Sequence, residues 1–410
     1  MAAMTVDPRW FPALGPTDED RVPRVYLDSA TTALMPQCVI DRVSAVLARG
    51  GSAGRSVHAM GHGATDDYAQ ARARVARSLG GAADEVVFVR SATEGLNWVA
   101  EGWAAPRLDA GDEVCVSIAE HHSNLLPWQR VCRRTGAKLV VVGCDARGDL
   151  DLADLRRRLG RRTKVLALTH VSNVTGALTD IAAVQQIVAA SEATDVGMVL
   201  DGAQAVPHLP VDVAELGCDF YVMSGHKVYG PPGVGVVWGR AQRWSQTEPL
   251  LLGGGMVSRA WADRCEYAEG PARFEAGTPN VAAAAGLATA LAFAEEHRDV
   301  GTEQALLEHA VATLDRLEGV RVIGRPARRI GAVSFVVEGV HAHDVASVLD
   351  EQQIAVRAGH HCAQPLLRHL GETATVRASF GLYNEPSDVE RLATALQRVQ
   401  QVFGRRSKPA

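Results

Sequence analysis

Residues 198–227 read MVLDGAQAVPHLPVDVAELGCDFYVMSGHK, and this stretch decides the fold class. Its runs MVLD (198–201) and DFYVMS (219–224) are apolar on both faces, which is typical of strands buried inside a parallel sheet. Five further runs of this kind are VVFV (86–89), EVCVSI (113–118), KLVVV (138–142), KVLALTHV (164–171) and VGVVW (234–238). Helical patterns lie between most of them, for example over 66–79, 93–103, 152–159 and 181–190. The alternation predicts an α/β fold around a mostly parallel, seven-stranded sheet.

The 410 residues predict a chain of three regions. Residues 1–24 are proline-rich and irregular, so we expect an N-terminal arm that packs on the body. Residues 25–290 would form a large domain around the sheet. Residues 291–410 would form a smaller α+β domain, because β-rich runs such as GAVSFVV (331–337) and ATVRASF (374–380) alternate there with helical patterns.

The composition is ordinary for a globular enzyme, with 47% hydrophobic and 22% charged residues. A net charge of -5 argues against a nucleic-acid partner bound by bulk electrostatics. The longest stretch of low polarity, 281–293, is too short to span a bilayer, and the first ten residues do not resemble a signal peptide. We therefore expect a cytoplasmic protein with neither nucleic acid nor membrane as a partner.

Cysteine and lysine usage restricts the possible chemistry. The seven cysteines are odd in number and form no C-x-x-C pair, which predicts reduced thiols. Of the 42 lysine and arginine residues only four are lysine, at positions 138, 164, 227 and 408. A lysine kept in such an arginine-rich chain indicates chemistry that arginine cannot perform, such as losing a proton and forming an imine.

Polar side chains follow several predicted strands, at the edge where open α/β sheets bind ligands. Thr93 lies in SATEG (91–95), at the start of a predicted helix. The hydroxyl groups and free backbone N–H groups there can bind an anion, or they can simply cap the helix. His121 can stack on a planar ring or shuttle a proton, with a structural histidine as the alternative. Asn173 can donate to a carboxylate or phenolate, or it can be a plain turn residue.

Asp201 and Lys227 follow the two strands of the opening stretch. A carboxylate at a buried strand end needs a partner, and a cationic ring nitrogen would be a suitable one. The alternative interpretation is that Asp201 only caps a helix. Burial favours the neutral, nucleophilic form of Lys227, and Ser224 and His226 beside it can hold an anion. An anion cradle, a stacking histidine, an aspartate and an imine-forming lysine are together the parts that pyridoxal phosphate needs.

The C-terminal region supplies a carboxylate clamp and a thiol. Arg357 and Arg377 lie in predicted strands, where a buried guanidinium can bind a substrate carboxylate through two hydrogen bonds. Between them, in AGHHCAQP (358–365), the neighbouring imidazoles would favour the thiolate form of Cys362. A zinc site is the competing interpretation, with the candidate ligands His341, His343, His360, His361 and Cys362. We predict no metal, because adjacent residues rarely bind one structural zinc and the usual C-x-x-C spacing is absent.

In their sequence contexts these residues resemble the SufS-like (group II) cysteine desulfurases, within the aminotransferase class V family of fold-type I pyridoxal-phosphate enzymes. The resemblance runs in order from about residue 24 to about residue 404. The strings that carry it are YLDSATT (26–32), FVRSATEGLN (88–97), EHHSNLLPWQ (120–129), THVSNVTG (169–176), DGAQAVPH (201–208), SGHKVYGPPGVG (224–235), RFEAGTPN (273–280), RAGHHCAQPL (357–366) and RASF (377–380).

The resemblance implies pyridoxal 5'-phosphate as the cofactor and a role for each residue around it. Lys227 would form the Schiff base and move the α-proton, and His121 would stack on the ring and act as acid or base. The other contacts are a pyridine-nitrogen partner, Asp201; a phenolic-oxygen partner, Gln204; and phosphate ligands, Thr93, Ser224, His226 and, from the neighbouring subunit, Thr278. The last contact implies a homodimer with shared sites.

The resemblance also implies the reaction and the partners. Arg377 and Asn173 would bind the carboxylate of L-cysteine, and Cys362 would take its sulfur as a persulfide and leave L-alanine. Arg357 and His361 would support the Cys362 loop. The persulfide would pass to a sulfur-acceptor protein of the SufE or SufU type, for iron–sulfur cluster assembly or a dedicated sulfur-transfer pathway.

Three departures from the resemblance leave the substrate and the acceptor open. The segment HAMGH (58–62) lacks an arginine found in relatives, GGGMV (253–257) is one residue shorter, and Ala92 replaces a threonine or asparagine. The alternatives are a selenocysteine lyase, and a carbon–sulfur lyase or an epimerase on the same fold. A different class of function, a non-catalytic partner in sulfur trafficking, would require that cofactor binding is lost.

Overall fold

The computed structural model describes residues 6–15, 23–54 and 56–404. Fifteen strands occur within these ranges. They are β1 (Val25–Tyr26), β2 (Val86–Val89), β3 (Glu113–Ser117), β4 (Lys138–Val142), β5 (Thr163–Thr169), β6 (Gly197–Asp201), β7 (Phe220–Ser224), β8 (Gly235–Gly239), β9 (Val257–Ala260), β10 (Cys265–Tyr267), β11 (Val320–Ile323), β12 (Ala332–Val337), β13 (Ile354–Ala355), β14 (Arg357–Gly359) and β15 (Thr375–Ser379).

Thirteen α-helices occur in the same part of the chain. They are α1 (Gln37–Arg49), α2 (Ala59–Ser78), α3 (Ala92–Trp98), α4 (Leu126–Thr135), α5 (Leu152–Arg158), α6 (Ile181–Ala190), α7 (Val213–Leu216), α8 (Ala241–Ser245), α9 (Val281–His297), α10 (Val300–Asp315), α11 (Ala342–Glu351), α12 (Gln364–His369) and α13 (Pro386–Gly404).

The seven predicted strands form one sheet in the order β2-β8-β7-β6-β5-β3-β4. The pairs from β7 through β4 are parallel, and β8 alone within this sheet runs antiparallel to both of its neighbours. This arrangement confirms the predicted α/β fold with a mostly parallel sheet. In its register Thr169 lies beside Asp201, and Asp201 lies beside Val222. The carboxyl ends of β5, β6 and β7 therefore lie close together along one edge.

The sheet is apolar on both faces because a hydrophobic core covers each of them. In β5, Leu166 and Leu168 belong to one core, whereas Val165 and Ala167 belong to the other. Successive side chains of a strand point to opposite faces, so a strand between two cores has few polar positions. This is why the strands are visible in the sequence as uninterrupted apolar runs.

Three local features differ from the predicted pattern or were not predicted. Helix α2 begins at Ala59, seven residues before the predicted start, because the Nδ1 atom of His58 accepts from the Gly61 N–H at 3.2 Å and caps it. The helix predicted over 93–103 is α only as far as Trp98 and continues as a π-helical turn, Val99–Ala104. The hairpin of β9 and β10 is short and mostly exposed, so it lacks the apolar pattern that marks the other strands.

A second, antiparallel sheet has the order β11-β12-β15-β14. Helices α10, α11 and α13 pack together against it, around a core that includes Phe335, Val376 and Leu392. Strand β1 pairs with β13, which ties the start of the described body to this C-terminal unit. Helix α9 crosses the predicted boundary at residue 290 and packs on α1 and α2. The domain division itself stays a prediction.

The predicted N-terminal arm is described over residues 6–15 and 23–24, and its other residues, 1–5 and 16–22, lie outside the described ranges. Two 3-10 turns, Pro8–Trp10 and Pro12–Leu14, flank Phe11, which is 1% exposed. The Phe11 ring packs edge-on against Tyr383 and Phe293, with centroid distances of 4.9 and 5.8 Å. These contacts fix this part of the arm to the body.

The described residues include every cysteine of the chain, and their helices can be checked for a membrane span. All seven cysteines are free, and Cys115 and Cys218 are fully buried in the core. Over the described ranges, every helix is either too short or too polar to cross a membrane.

A buried ion pair joins α2 to the edge of the large sheet. The guanidinium of Arg72 donates to both carboxylate oxygens of Glu275, each at 2.7 Å. The same carboxylate accepts from the Tyr68 hydroxyl at 2.9 Å and from the Phe88 N–H of β2 at 2.7 Å. The two charged side chains are 14% and 11% exposed, so removing one of them leaves the other charge in a poorly solvated place.

We expect Glu275→Ala to lower the free energy of unfolding by about 3–5 kcal/mol, because it strands the Arg72 charge. The matched control is Glu295→Ala, whose pair with Arg74 lies near the surface and should contribute about 1 kcal/mol or less. Denaturant titrations at one protein concentration measure both values. Equal small losses in the two variants would contradict the assignment.

Candidate active site

A cavity of about 270 Å³ lies where the large sheet ends and the C-terminal unit begins. Eleven of the thirteen predicted site residues line it. They are Thr93, His121, Asn173, Asp201, Ser224, His226, Lys227, Arg357, His361, Cys362 and Arg377. The structure therefore brings together side chains from strand ends of the large sheet and from the small one, as a site at the carboxyl edge of an α/β sheet requires.

Two predicted residues lie outside the walls of this cavity. The side-chain amide of Gln204 donates to the Ala30 carbonyl at 2.8 Å, and Ala30 is itself a cavity residue. Thr278 lines a larger cavity of about 770 Å³, together with Gly254 and Glu275. A role for Thr278 across a subunit boundary stays a prediction, since the structure describes a single chain.

Lys227 ends the short 3-10 turn Gly225–Lys227 that follows β7. Loss of hydration lowers the pKa of its amine below the ordinary lysine value, and the nearby Arg377 charge acts in the same direction. The carboxylate of Asp201 acts in the opposite direction. The net shift raises the fraction of neutral amine, which is the form that can attack an aldehyde.

Asp201 is the last residue of β6 and is 6% exposed. Its Oδ1 atom accepts from the Ala203 N–H at 3.0 Å, and burial raises the pKa of its carboxyl. The chain can turn here only through glycine, because a Cβ at Gly202 would lie 2.1 Å from the ring of Tyr221. A buried carboxylate with one backbone donor is a suitable partner for a cationic N–H group.

Hydroxyl groups gather at the end of the cavity beside the start of α3. The Oγ atom of Ser224 accepts from the Ala92 N–H at 2.7 Å, and the hydroxyls of Thr93 and Ser123 are 2.8 Å apart. Burial, followed by the Lys227 charge, lowers the pKa of the nearby His226 to about 4. Hydroxyl donors at a helix N-terminus form a site for a phosphate group.

His121 is held by Ser123, a residue to which the sequence analysis gave no role. The Nδ1 atom of His121 accepts from the Ser123 N–H at 3.1 Å and lies 3.0 Å from the Ser123 hydroxyl. Burial, with a smaller effect of the Lys227 charge, lowers the pKa of His121 to about 3. The ring is therefore neutral near pH 7, and its proton lies on Nε2.

The two predicted arginines are neighbours on β14 and β15, where Arg357 pairs in register with Arg377. Arg377 is 2% exposed and donates to the Asn173 carbonyl, to Asp28 and to Thr31, at 3.0, 2.9 and 2.8 Å. Its Nε atom is buried without a hydrogen-bond partner among the described residues. Arg357 shares Thr31, at 3.3 Å. Asp28 and Thr31 belong to the string YLDSATT (26–32), but no pattern in that string predicts their contacts with the two arginines.

Cys362 is half-buried in a tight loop between β14 and α12. His361 and Cys362 both have left-handed backbones, with φ of 51° and 54°. The Nδ1 atom of His360 accepts from the Cys362 N–H at 3.1 Å, and Nε2 of His361 lies 2.9 Å from the Thr375 hydroxyl. Both of these nitrogens are directed at groups other than the Cys362 thiol, so the expected thiolate stays a prediction.

The chemistry of these residues fits pyridoxal phosphate. A phosphate fits the hydroxyl end, a protonated ring nitrogen fits the buried Asp201 carboxylate, and an aldehyde fits the Lys227 amine. Within residues 6–15, 23–54 and 56–404, no three His, Cys, Asp or Glu side chains are grouped so that they could hold a metal ion.

Comparisons with known proteins agree with this chemistry. The model of the family described as Aminotransferase class-V matches residues 25–392. A protein of Halalkalibacterium halodurans named probable cysteine desulfurase is 41% identical over 390 residues, which cover 93% of this chain and 94% of that one. A Vibrio cholerae protein of the same name is 42% identical over 381 residues, covering 92% and 93%.

A similar solved structure is the crystal structure of the cysteine desulfurase CsdA, in an S-sulfonic acid form, from Escherichia coli. It superimposes with a TM-score of 0.87 at 38% sequence identity, and the match covers 97% of this chain and 99% of that chain.

We expect Asp201→Asn to weaken pyridoxal-phosphate binding by about 10- to 100-fold. This is the loss of affinity that corresponds to one hydrogen bond to a charged group. The free energy of unfolding of the cofactor-free protein should not fall, because burial of the Asp201 charge is itself unfavourable. An absorbance titration and a denaturant titration measure the two effects. Asp180→Asn is the control, since Asp180 caps α6 outside the cavity. Wild-type affinity in Asp201→Asn would contradict the pairing.

Proposed function

The chain belongs to the aminotransferase class-V family, and we propose that within this family it is a pyridoxal-phosphate-dependent cysteine desulfurase. Relatives of that name are about 40% identical to it over most of both chains. The observation that carries the proposal is that Lys227 and Cys362 line one cavity. An amine that can bind the cofactor thus lies in the same site as a thiol that can accept sulfur.

When bound, pyridoxal phosphate supplies an aldehyde that joins an amine and a ring that withdraws electrons from the substrate. We assign the phosphate to Thr93, Ser224 and His226, with Thr278 contributed by a second copy of the chain. Asp201 would keep the ring nitrogen protonated, Gln204 would reach the phenolic oxygen, and His121 would lie against the ring.

The substrate carboxylate would bind at the arginine pair. The unpartnered Nε–H of Arg377 is a donor already in place, and Arg357 lies on the adjacent strand. Asn173 is the third residue assigned to this end of the substrate. A fixed guanidinium orients the amino acid so that its Cα hydrogen faces the Lys227 amine, which removes and returns the proton.

The Sγ atom of Cys362 would attack the sulfur of L-cysteine. The bond between that sulfur and Cβ breaks, Cβ takes up a proton, and the sulfur stays on Cys362 as a persulfide. One L-cysteine and one thiol thus become one L-alanine and one persulfide, and no external oxidant is needed. The neutral His121, with its proton on Nε2, is the group we assign to proton transfer near the ring.

The partners belong to the same proposal. We assign a sulfur-acceptor protein of the SufE or SufU type, a homodimer and a cytoplasmic location. The SufS-like subtype is supported by the short loop of four residues between Gly359 and Gln364. Selenocysteine lyase activity is the alternative, since the same cavity would accept selenium in place of sulfur.

We expect Lys227→Ala to lose covalent attachment of the cofactor, because Lys227 is the only lysine of the described residues that lines the cavity. Borohydride reduction followed by peptide mass spectrometry locates the attached group in the wild-type protein. Lys138→Ala, a change on β4 outside the cavity, should retain the attachment. A cofactor still reduced onto the chain in Lys227→Ala would refute the assignment.

We expect Cys362→Ser to retain the cofactor absorbance but to lose alanine formation from L-cysteine, because serine cannot hold a persulfide. Cys38→Ser, which changes an exposed cysteine, is the control and should be fully active. The measurement is alanine release with a reductant present. Normal turnover in Cys362→Ser would exclude Cys362 as the nucleophile, and turnover of selenocysteine alone would favour the alternative function.

A further inference from the structure

Four consecutive backbone carbonyls, those of residues 173–176, accept hydrogen bonds from the C-terminal unit. We call residues 173–176 the docked turn. The donors, in order along the turn, are the side chains of Arg377, Ser334 and Arg329 and the backbone N–H of Ile330, at 3.0, 2.6, 2.6 and 2.8 Å. The turn follows β5 of the large sheet, so these bonds cross from one unit to the other.

The fit of the docked turn is close. Gly176 has a φ of 70°, and a Cβ at this position would lie 2.6 Å from the Ile330 carbonyl oxygen and 2.8 Å from that of Ala332. Backbone meets backbone here without an intervening side chain. The position of the turn is therefore set by its hydrogen-bond donors together with the packing of Val174, which is fully buried in a cluster with Leu366 of α12.

Arg329 is the donor with the most unusual environment. It is 8% exposed, and within the described part of the chain its guanidinium donates only to carbonyl oxygens, those of Thr175, Ala332 and Gly324, at 2.6, 3.3 and 2.7 Å. A buried cation without a hydrogen-bonded carboxylate is costly. The planar guanidinium binds the Thr175 carbonyl and the Gly324 carbonyl at the same time and so holds two chain segments together. The single amine of a lysine cannot reproduce this geometry.

The docked turn is also hydrogen-bonded to the Cys362 loop. The side-chain amide of Asn173 donates to the His361 carbonyl at 2.7 Å, and the His122 N–H donates to the Cys362 carbonyl at 2.7 Å. Two successive non-glycine residues in the left-handed region store strain, which persists only where the surroundings enforce it. These two bonds from the large unit help to enforce it, together with the burial of Ala363 in a cluster that includes Val174.

We propose that Arg329 is a positioning residue for the nucleophile. It fixes the docked turn, the turn fixes the Asn173 amide, and that amide fixes the left-handed Cys362 loop over the cavity. This inference rests on the proposed function, because it takes Cys362 as the group that attacks sulfur. Arg329 itself is not among the residues that line the cavity.

The test compares Arg329→Met with Arg325→Met in the holoenzyme. Arg325 is the control because its guanidinium donates to Asp315 at 3.0 and 2.6 Å, and no hydrogen bond among the described residues joins it to the docked turn. In Arg329→Met, the cofactor absorbance without substrate should match the wild type, because Arg329 does not line the cavity. Alanine formation in a single turnover should slow by about 10- to 100-fold, the effect of displacing a reacting group by about 1 Å.

A second readout reports on the loop directly. Alkylation of Cys362 by iodoacetamide, followed by peptide mass spectrometry without L-cysteine, should be faster in Arg329→Met because a loosened loop exposes the thiol. Arg329→Lys should restore part of the wild-type behaviour, since its amine can reach the Thr175 carbonyl but cannot hold both segments. Ser334→Ala removes the neighbouring donor and should shift both readouts in the same direction, which keeps the test available if Arg329→Met does not fold.

Wild-type alkylation and single-turnover rates in Arg329→Met would overturn the proposal. Loss of cofactor binding in Arg329→Met and Ser334→Ala alike would also overturn it, since the role would then be general support of the fold. If wild-type protein forms no alanine from L-cysteine, the proposed function fails, whereas the alkylation rates still decide the positioning role.

Discussion

The burial of opposite charges at the ends of β6 and β7 is the constraint on which the site depends. Asp201 and Lys227 line one cavity, and each shifts the pKa of the other against the effect of burial. Burial disfavours the charged form of each side chain, because the protein interior solvates ions poorly. The parallel register that brings these strand ends together creates an environment that favours a neutral amine and a ligand carrying positive charge.

The C-terminal unit adds the groups that the large sheet cannot supply. Arg357 and Arg377 lie side by side on an antiparallel pair, and the loop after β14 carries the thiol. The contacts that place these groups come mainly from the other unit: Asp28 and Thr31 hold Arg377, while Asn173 and His122 hold the thiol loop. The reaction site is therefore a property of the interface and not of either unit alone.

The sequence predicted the large sheet well because its strands lie between two apolar cores and are uninterrupted in composition. It predicted eleven of the residues that line the cavity, because each one follows a strand or belongs to a recognisable string, although their individual roles stay predictions. It did not predict the start of α2 at Ala59, where a histidine caps the helix, or the bonds of Asp28 and Thr31 to Arg377. Those bonds join segments about 350 residues apart, and no local pattern records them.

The docked turn has a consequence for the evolution of this architecture. Its acceptors are main-chain oxygens, which every amino acid provides, whereas three of its four donors are particular side chains. A change of side chain at position 174 or 175 leaves the acceptor oxygen in place, although the burial of both side chains restricts their size. The opposing surface must keep its particular donors. Exchange of the C-terminal unit between distant homologues would therefore succeed or fail according to whether the incoming unit carries the same donors.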